Sequence, residues 1–162
     1  THTLSLHDAL PILMMKPDHF REFIKPYYRE IAEVCQEGDM HFWLHSCGNN
    51  TDILKDLSEA GVDVFHPVQK HTMDEKKIAA EFGDQLTFLA GLDVQHILQE
   101  GSPEEVRKEV RFLIDTFDRE KGGMGLAAGN GIVGGTPLEN IEAFLDDVYK
   151  YGKYHREQMN GS

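Results

Sequence analysis

The sequence predicts an α/β chain built like one half of a (βα)8 barrel of the TIM type. Three observations predict it. Four short apolar runs each lead into an amphipathic helix, in a βα rhythm that recurs at intervals of roughly 20 to 40 residues. Each run ends in a tip rich in His, Gly, Asp or Asn, the end that carries chemistry in parallel α/β folds. No Gly-x-Gly-x-x-Gly follows the first run, which leaves a doubly wound dinucleotide fold without support.

Each element has a local reason. Lys16-Pro17-Asp18 opens a helix. Phe20, Phe23, Ile24, Tyr27, Ile31, Val34 and Cys35 then form one apolar stripe at helical spacing, and Pro26 divides or kinks it. Gly38 stops that helix, and Phe42 to Leu44 reads as a buried strand ending in His45-x-Cys47 and a Gly-Asn-Asn turn. A helix over 50–60 turns Ile53, Leu54 and Leu57 inward. Val62 to Phe65 is the second strand, tipped by His66-Pro67-Val68-Gln69. Thr72-x-x-Glu75 reads as a capping box for a helix burying Ile78, Ala79 and Phe82. Leu86 to Leu89 is the third strand, tipped by Ala90-Gly91-Leu92-Asp93. Ser102-Pro103-Glu104-Glu105 caps a helix with Val106, Val110, Leu113, Ile114 and Phe117 inward. Gly125 to Ala128 is the fourth strand, tipped by Gly129-Asn130-Gly131. Thr136 to Glu139 repeats the cap signal before a helix burying Ile141, Phe144, Leu145 and Val148.

This gives a domain over 13–152. Residues 1–12, THTLSLHDALPI, do not read as part of it: they lack the charged start and long apolar stretch of a signal peptide and resemble translated sequencing-adapter sequence. Residues 153–162 read as a polar, frayed tail. A full barrel takes about 250 residues and eight strands. The expectation is therefore a C-terminal half-barrel, or two copies that pair as a homodimer to close the ring, because open parallel edges and an uncovered apolar face are liabilities.

Composition narrows the partners. A net charge of −12 over 162 residues offers no basic stripe, so a nucleic-acid partner is not expected. No run approaches the roughly 18 apolar residues of a membrane span. Two cysteines, Cys35 and Cys47, make a disulfide framework a poor reading and suit a reducing cytoplasm. Cys35, on the helical stripe, reads as an inert core thiol.

The chemistry-bearing residues lie at the strand tips. A thiolate and an imidazole two residues apart, His45 and Cys47, can reach one Zn2+ at roughly 2.0–2.3 Å, and zinc with an open position can bind a substrate thiol and lower its pKa. The competing reading is a loop His beside a small buried Cys; a tetrahedral site needs a third ligand, and no third cysteine exists. His66 reads as a substrate-facing acid, base or ligand, or else as a loop His fixing its tautomer on a backbone carbonyl. Gln69 stands at the same rim as a group to orient a polar substrate. Asp93 is a candidate proton acceptor, or a cap for the following turn. Gly129 and Gly131 let backbone approach a ligand closely, or merely make the turn. His71, His96 and His155 read as solvated.

The stretches HSCGNNTDILKDLSEAGVDVFHPVQ, LTFLAGLDVQHIL and AAGNGIVGGTPLENIEAFLDDVYKYG together resemble the C-terminal half of the uroporphyrinogen decarboxylase superfamily, over about Pro17 to Gly152. The resemblance implies a (βα)8 barrel. It also implies one of two activities: cofactor-free decarboxylation of uroporphyrinogen, or corrinoid-dependent methyl transfer in which zinc activates a thiol such as coenzyme M. In the methyltransferase branch the zinc ligands are a His-x-Cys pair, matched by His45 and Cys47, and a Cys in the Gly-rich loop, where this sequence has Asn130. Decarboxylases carry a His in that loop, which Asn130 also replaces; their substrate-binding Arg pair and central Asp belong to the N-terminal half. The His-x-Cys pair therefore inclines the reading toward the methyltransferase-like branch.

The expectation is methyl transfer between a corrinoid, supplied by a partner corrinoid protein or as substrate, and a small thiol or similar acceptor. The metal set would be His45, Cys47 and Asn130. His66 and Asp93 would be catalytic, with Gln69, Gly129 and Gly131 against the ligand. The rivals are tetrapyrrole decarboxylation and a catalytically inert half-barrel, perhaps dimeric in assembly. With half an active-site wall, the isolated chain is expected to show no turnover.

Overall fold

A computed structural model describes residues 15–161; the 1–12 leader expected from the sequence lies outside them. The order is α1 (Pro17–Phe23), α2 (Lys25–Glu37), β1 (Trp43–His45), α3 (Leu54–Glu59), β2 (Val64–His66), α4 (Glu75–Phe82), β3 (Thr87–Leu92), α5 (Pro103–Phe117), β4 (Met124–Ala128) and α6 (Leu138–Asn160). A 3-10 turn, Thr51–Ile53, leads into α3.

The four strands pair in parallel in sequence order, β1-β2-β3-β4. A doubly wound sheet reverses its order at a switch point. Here it never reverses, so the crossovers accumulate on one face, as in a barrel wall. Successive side chains alternate between faces. Phe65, Phe88, Ala90 and Leu92 share the helix-side face and are fully buried with Leu54, Leu57, Ile78, Val106, Val110 and Leu113. The opposite face carries Trp43, His45, Val64, His66, Leu89 and Gly91, by the same register. In a closed barrel that face lines the interior; here Trp43 is 61% exposed on it.

The helix-side residues expected from the sequence are in the core, with local corrections. Pro26 does divide the first helix, standing in the first turn of α2. The stripe does not bury as expected: Phe23, Tyr27, Ile31 and Val34 are exposed, and α2 turns Lys25 and Ala32 inward instead. Ala32 lies against Gly61, where an added Cβ would come within 2.6 Å. Lys25 reaches Asp56 at 2.8 Å and Glu59 at 2.6 Å. Burial works to raise the Asp56 pKa, but the hydrogen bonds from Lys25 and Arg21 win and hold it below the usual carboxylate range. Cys35 is half-buried against the core.

Of the three expected caps, only the Ser102–Glu105 box forms, with the reciprocal bonds that satisfy two orphan amides. At α4 the cap is Asp74, accepting from Lys77, because the Thr72 hydroxyl donates to the Gln69 carbonyl. The Thr136 hydroxyl likewise donates backward, to Val133, and α6 starts without a side-chain cap. Leu145 is exposed, and α6 buries Asn140, Ala143, Phe144 and Asp147. Asn140 donates to the Leu98 and Gly101 carbonyls, and Asp147 takes a two-pronged bond from Arg111. Where a frayed tail is expected, α6 runs to Asn160: His155 and Arg156 both bond Asp118 there, so His155 is not a solvated group.

Candidate functional site

The tip of β1 is fixed before any side chain reaches for a ligand. His45 pairs in register with His66 of β2, and Ser46 N–H continues the ladder to the His66 carbonyl. Register partners in a parallel pair point their side chains to the same face, so the two imidazoles stand side by side, centroids 4.8 Å apart. The chain then turns at Gly48, whose φ of +89° suits glycine, and Gly48 N–H donates to Gln69 Oε1. Asn50, 2% exposed, gathers the carbonyls of Ser46, Cys47 and Gly48 with its amide. Buried amide hydrogen bonds of this kind lock a loop, so Asn50 and Gln69 hold Cys47 in place.

β4 closes on this tip from the far side of β3. Gly91 of β3 permits it: a Cβ there would stand 2.7 Å from Gly129 Cα and 2.8 Å from Pro67 Cβ. Gly129 N–H bonds the Leu92 carbonyl at 2.7 Å. The β2 and β4 tips thus meet over a glycine, and Ala128 O comes within 3.2 Å of His66 Nε2. Past it, Asn130 Nδ2 approaches Cys47 Sγ at 3.9 Å, and Asn130 Oδ1 accepts from Gly131 N–H.

The result is a connected series. His66 Nε2 faces a carbonyl, His66 Nδ1 faces His45 Nδ1 at 2.8 Å, and His45 Nε2 faces Cys47 Sγ at 3.2 Å. Burial pushes the His66 pKa down, against the pull of the Ala128 bond, and the neighbouring His45 lowers it further.

Four expected site residues, His45, Cys47, His66 and Asn130, therefore come together. Gln69 braces the Gly48 loop through its acceptor oxygen. Gly129 serves chain closure, while a Cβ on Gly131 would meet nothing within 4 Å. Asp93 takes the capping role: its Oδ1 accepts from Gln95 and His96 N–H, and its other oxygen lies 3.7 Å from His71. Sequence reasoning missed Asn50, Gly91 and the Ala128 carbonyl. Only Asn50 left a signal, a polar residue ending the Gly-Asn-Asn turn.

The donor set can be tested against zinc. Bonds of about 2.0 Å to nitrogen and 2.3 Å to sulfur at tetrahedral angles set an N···S separation of about 3.5 Å, somewhat beyond the 3.2 Å between His45 and Cys47. The decisive point is the third position, where Asn130 turns an N–H, not a lone pair, toward the sulfur. Among the described residues no group of three or more His, Cys, Asp or Glu comes together that could hold a metal ion. Two ligands fall short of the three that a catalytic zinc needs, so the described residues do not complete a zinc site.

A parallel barrel-type wall with a His-x-Cys tip defines a class, and comparison with known proteins gives the family. The uroporphyrinogen decarboxylase (URO-D) family matches residues 4–151, and the chain belongs to that family. Among curated relatives, the methylcobamide:CoM methyltransferase MtbA of Methanosarcina acetivorans is 28% identical over 83% of this chain and 38% of its own length. A methylated-thiol–coenzyme M methyltransferase of Methanosarcina mazei is 27% identical over 89% of this chain and 36% of its own. A solved methyltransferase structure from Methanosarcina mazei superposes with a TM-score of 0.68 at 26% identity, over 85% of this chain and 38% of that one. The chain thus spans less than two fifths of the length of these relatives. Within that family the chain is similar to these methyltransferases, and the sheet is part of a barrel. Among the described residues, no helix is long and apolar enough to cross a membrane.

Proposed function

We propose that this chain supplies one wall of a methyl-transfer site, at which a methyl group passes between a corrinoid and a thiol or similar small acceptor. The observation that carries the reading is the convergence of His45 and Asn130, from two separate strand tips, onto the sulfur of Cys47. His45 Nε2 is the group placed to take the proton of a thiol at the mouth as its sulfur becomes a nucleophile. The Asn130 N–H faces a sulfur and favours negative charge there. The methyl donor is a substrate in this reading, presented by a partner corrinoid protein, and both free cysteines suit a cytoplasmic setting. His66, Asp93 and Gly131 have no direct part in it.

Four strands wall only one side of a pocket, so the test uses the chain in stoichiometric amount rather than in search of turnover. Methylcobalamin and 2-mercaptoethanesulfonate are mixed with the chain, and thioether is followed by mass spectrometry. Thioether should form faster than in buffer, and the excess should vanish in His45→Ala and Cys47→Ala. Equal rates with the wild type and both variants would remove the reading; carbon dioxide released from uroporphyrinogen would replace it with decarboxylation. Asn130→Cys supplies the missing third ligand and should raise bound zinc, measured by elemental analysis, to about one per chain. Wild-type chain already binding one zinc, lost in Cys47→Ser, would restore the metal to the mechanism.

A further inference from the structure

His66 touches neither Cys47 nor the position where an acceptor thiol would meet His45; its two ring nitrogens are both committed elsewhere. Those commitments have a direction. A carbonyl oxygen can only accept, so the 3.2 Å contact with Ala128 requires His66 Nε2 to carry a hydrogen. A neutral imidazole has one N–H, so His66 Nδ1 is a lone pair. The 2.8 Å contact between the two Nδ1 atoms then requires the hydrogen to be on His45. His45 in turn has its lone pair on Nε2, the atom 3.2 Å from Cys47 Sγ. Every hydrogen in the series is thereby assigned from one backbone carbonyl.

We propose that His66 is a positioning residue, which transmits the polarity of the Ala128 carbonyl to His45 and holds His45 in the Nδ1–H tautomer with its Nε2 lone pair aimed at Cys47. The usual partner that sets a histidine's tautomer is a carboxylate or carbonyl bonded directly to it. Here a second imidazole intervenes, and it accepts without introducing charge. The gating feature is Gly91, since only the approach of β4 over that residue brings Ala128 O within reach. The assignment of a role in thiol chemistry rests on the methyl-transfer reading; the tautomer itself does not.

The test is nitrogen-15 NMR of the histidine rings in the whole chain, at a pH where both rings are neutral. His45 should show a protonated Nδ1 and a bare Nε2, the reverse of the preference of a free histidine side chain in water. His45 found as the Nε2–H form in wild type overturns the proposal with no variant needed. In His66→Phe the His45 ring should revert, and alkylation of Cys47 by iodoacetamide should slow about 10-fold. His66→Gln keeps one acceptor and one donor and should restore both readouts; a Gln variant no better than Phe also overturns the proposal. Neither readout involves methyl transfer, so loss of the functional reading would leave the tautomer result standing, and the converse.

Discussion

Two polar groups sit at the same end of the sheet and differ in every physical respect. One is His45, Cys47, His66 and Asn130 at the tips of β1, β2 and β4, mostly exposed and joined nitrogen to nitrogen to sulfur. The other is Lys70, Glu75, Asp93 and Glu109, under the loops that lead into α4 and α5. Lys70 Nζ contacts both Glu109 oxygens at 2.5 Å and lies 5.1 Å from the Phe112 ring centroid. Glu109 and Asp93 have side chains 9% and 8% exposed. Glu75 feels one cation, Lys70, against the carboxylates of Glu109 and Asp93, so the set is short of positive charge. Burial accordingly pushes Glu75 up to about 7; Lys70 opposes that, and Glu109, Asp74 and Asp93 add to it. Buried charge stays only where removing a partner is costly, whereas exposed neutral donors can be lost cheaply. The contrast teaches which group holds the fold and which is free to do chemistry.

The largest effect is expected where the buried group is broken. Lys70→Met leaves Glu109 buried and unpaired and should cost about 3 kcal/mol, read from urea unfolding, with the His45 tautomer unchanged in the protein that remains folded. Gly91→Ala attacks the boundary between the groups. Its Cβ would strike Gly129 Cα and Pro67 Cβ, neither the end of a flexible side chain, and overpacking of that kind costs about 1–3 kcal/mol. Unlike Lys70→Met, it should also separate His66 from Ala128 and release the His45 tautomer. A Gly91→Ala chain with native stability and native His45 signals would show that the β4 tip does not need that glycine.

These two residues mark what a linear sequence can disclose. Helix-side core positions such as Leu54, Ile78, Val106 and Leu113 repeat at helical spacing, so their burial is legible, and the parallel order follows from the βα rhythm. His45 and Cys47 are legible because two ligand-type residues stand beside one another at a strand end. Gly91 is not, since its requirement comes from Pro67 and Gly129, 24 and 38 residues away in sequence. The Ala128 carbonyl is silent for the same reason: every residue has one. The α2 stripe misleads because periodicity identifies an apolar face without saying what covers it, and Lys25 takes the inward place through Asp56 and Glu59. The Thr72 hydroxyl went astray through local competition, in which a short polar side chain bonds its own turn, and of the two roles the sequence offered Asp93 the structure shows the turn cap.

A smaller effect tests the charge imbalance of the buried group. The folded pKa of Glu75 lies above its unfolded value, so the native state binds the extra proton. The Glu75 contribution to stability is then most favourable below about pH 4.5, falls as pH rises toward 7, and the penalty is complete above that. Glu75→Gln should remove this dependence and stabilise the chain above pH 7 by about 1 to 2 kcal/mol, after discounting for solvent at a group that is not fully enclosed. The comparison is urea midpoints at pH 5 and pH 8; an unchanged difference between them would place the excess charge elsewhere.

The smallest effect is expected in the exposed group, and it decides the comparison. Cys47 and His45 are exposed, and their side chains bond one another and His66 without filling the core. Truncating either should move stability by no more than about 0.5 kcal/mol. The main chain there is held independently, by Asn50 on three carbonyls and by Gln69 on Gly48. Asn50→Ala, by contrast, takes the shared buried donor from three loop carbonyls and should cost about 1–3 kcal/mol. If Cys47→Ala proved as damaging as Asn50→Ala, the sulfur would be a structural member of the loop. The division between a scaffold and a dispensable reactive tip would then fail, because a side chain whose loss unfolds its own loop has its presence explained without any chemistry.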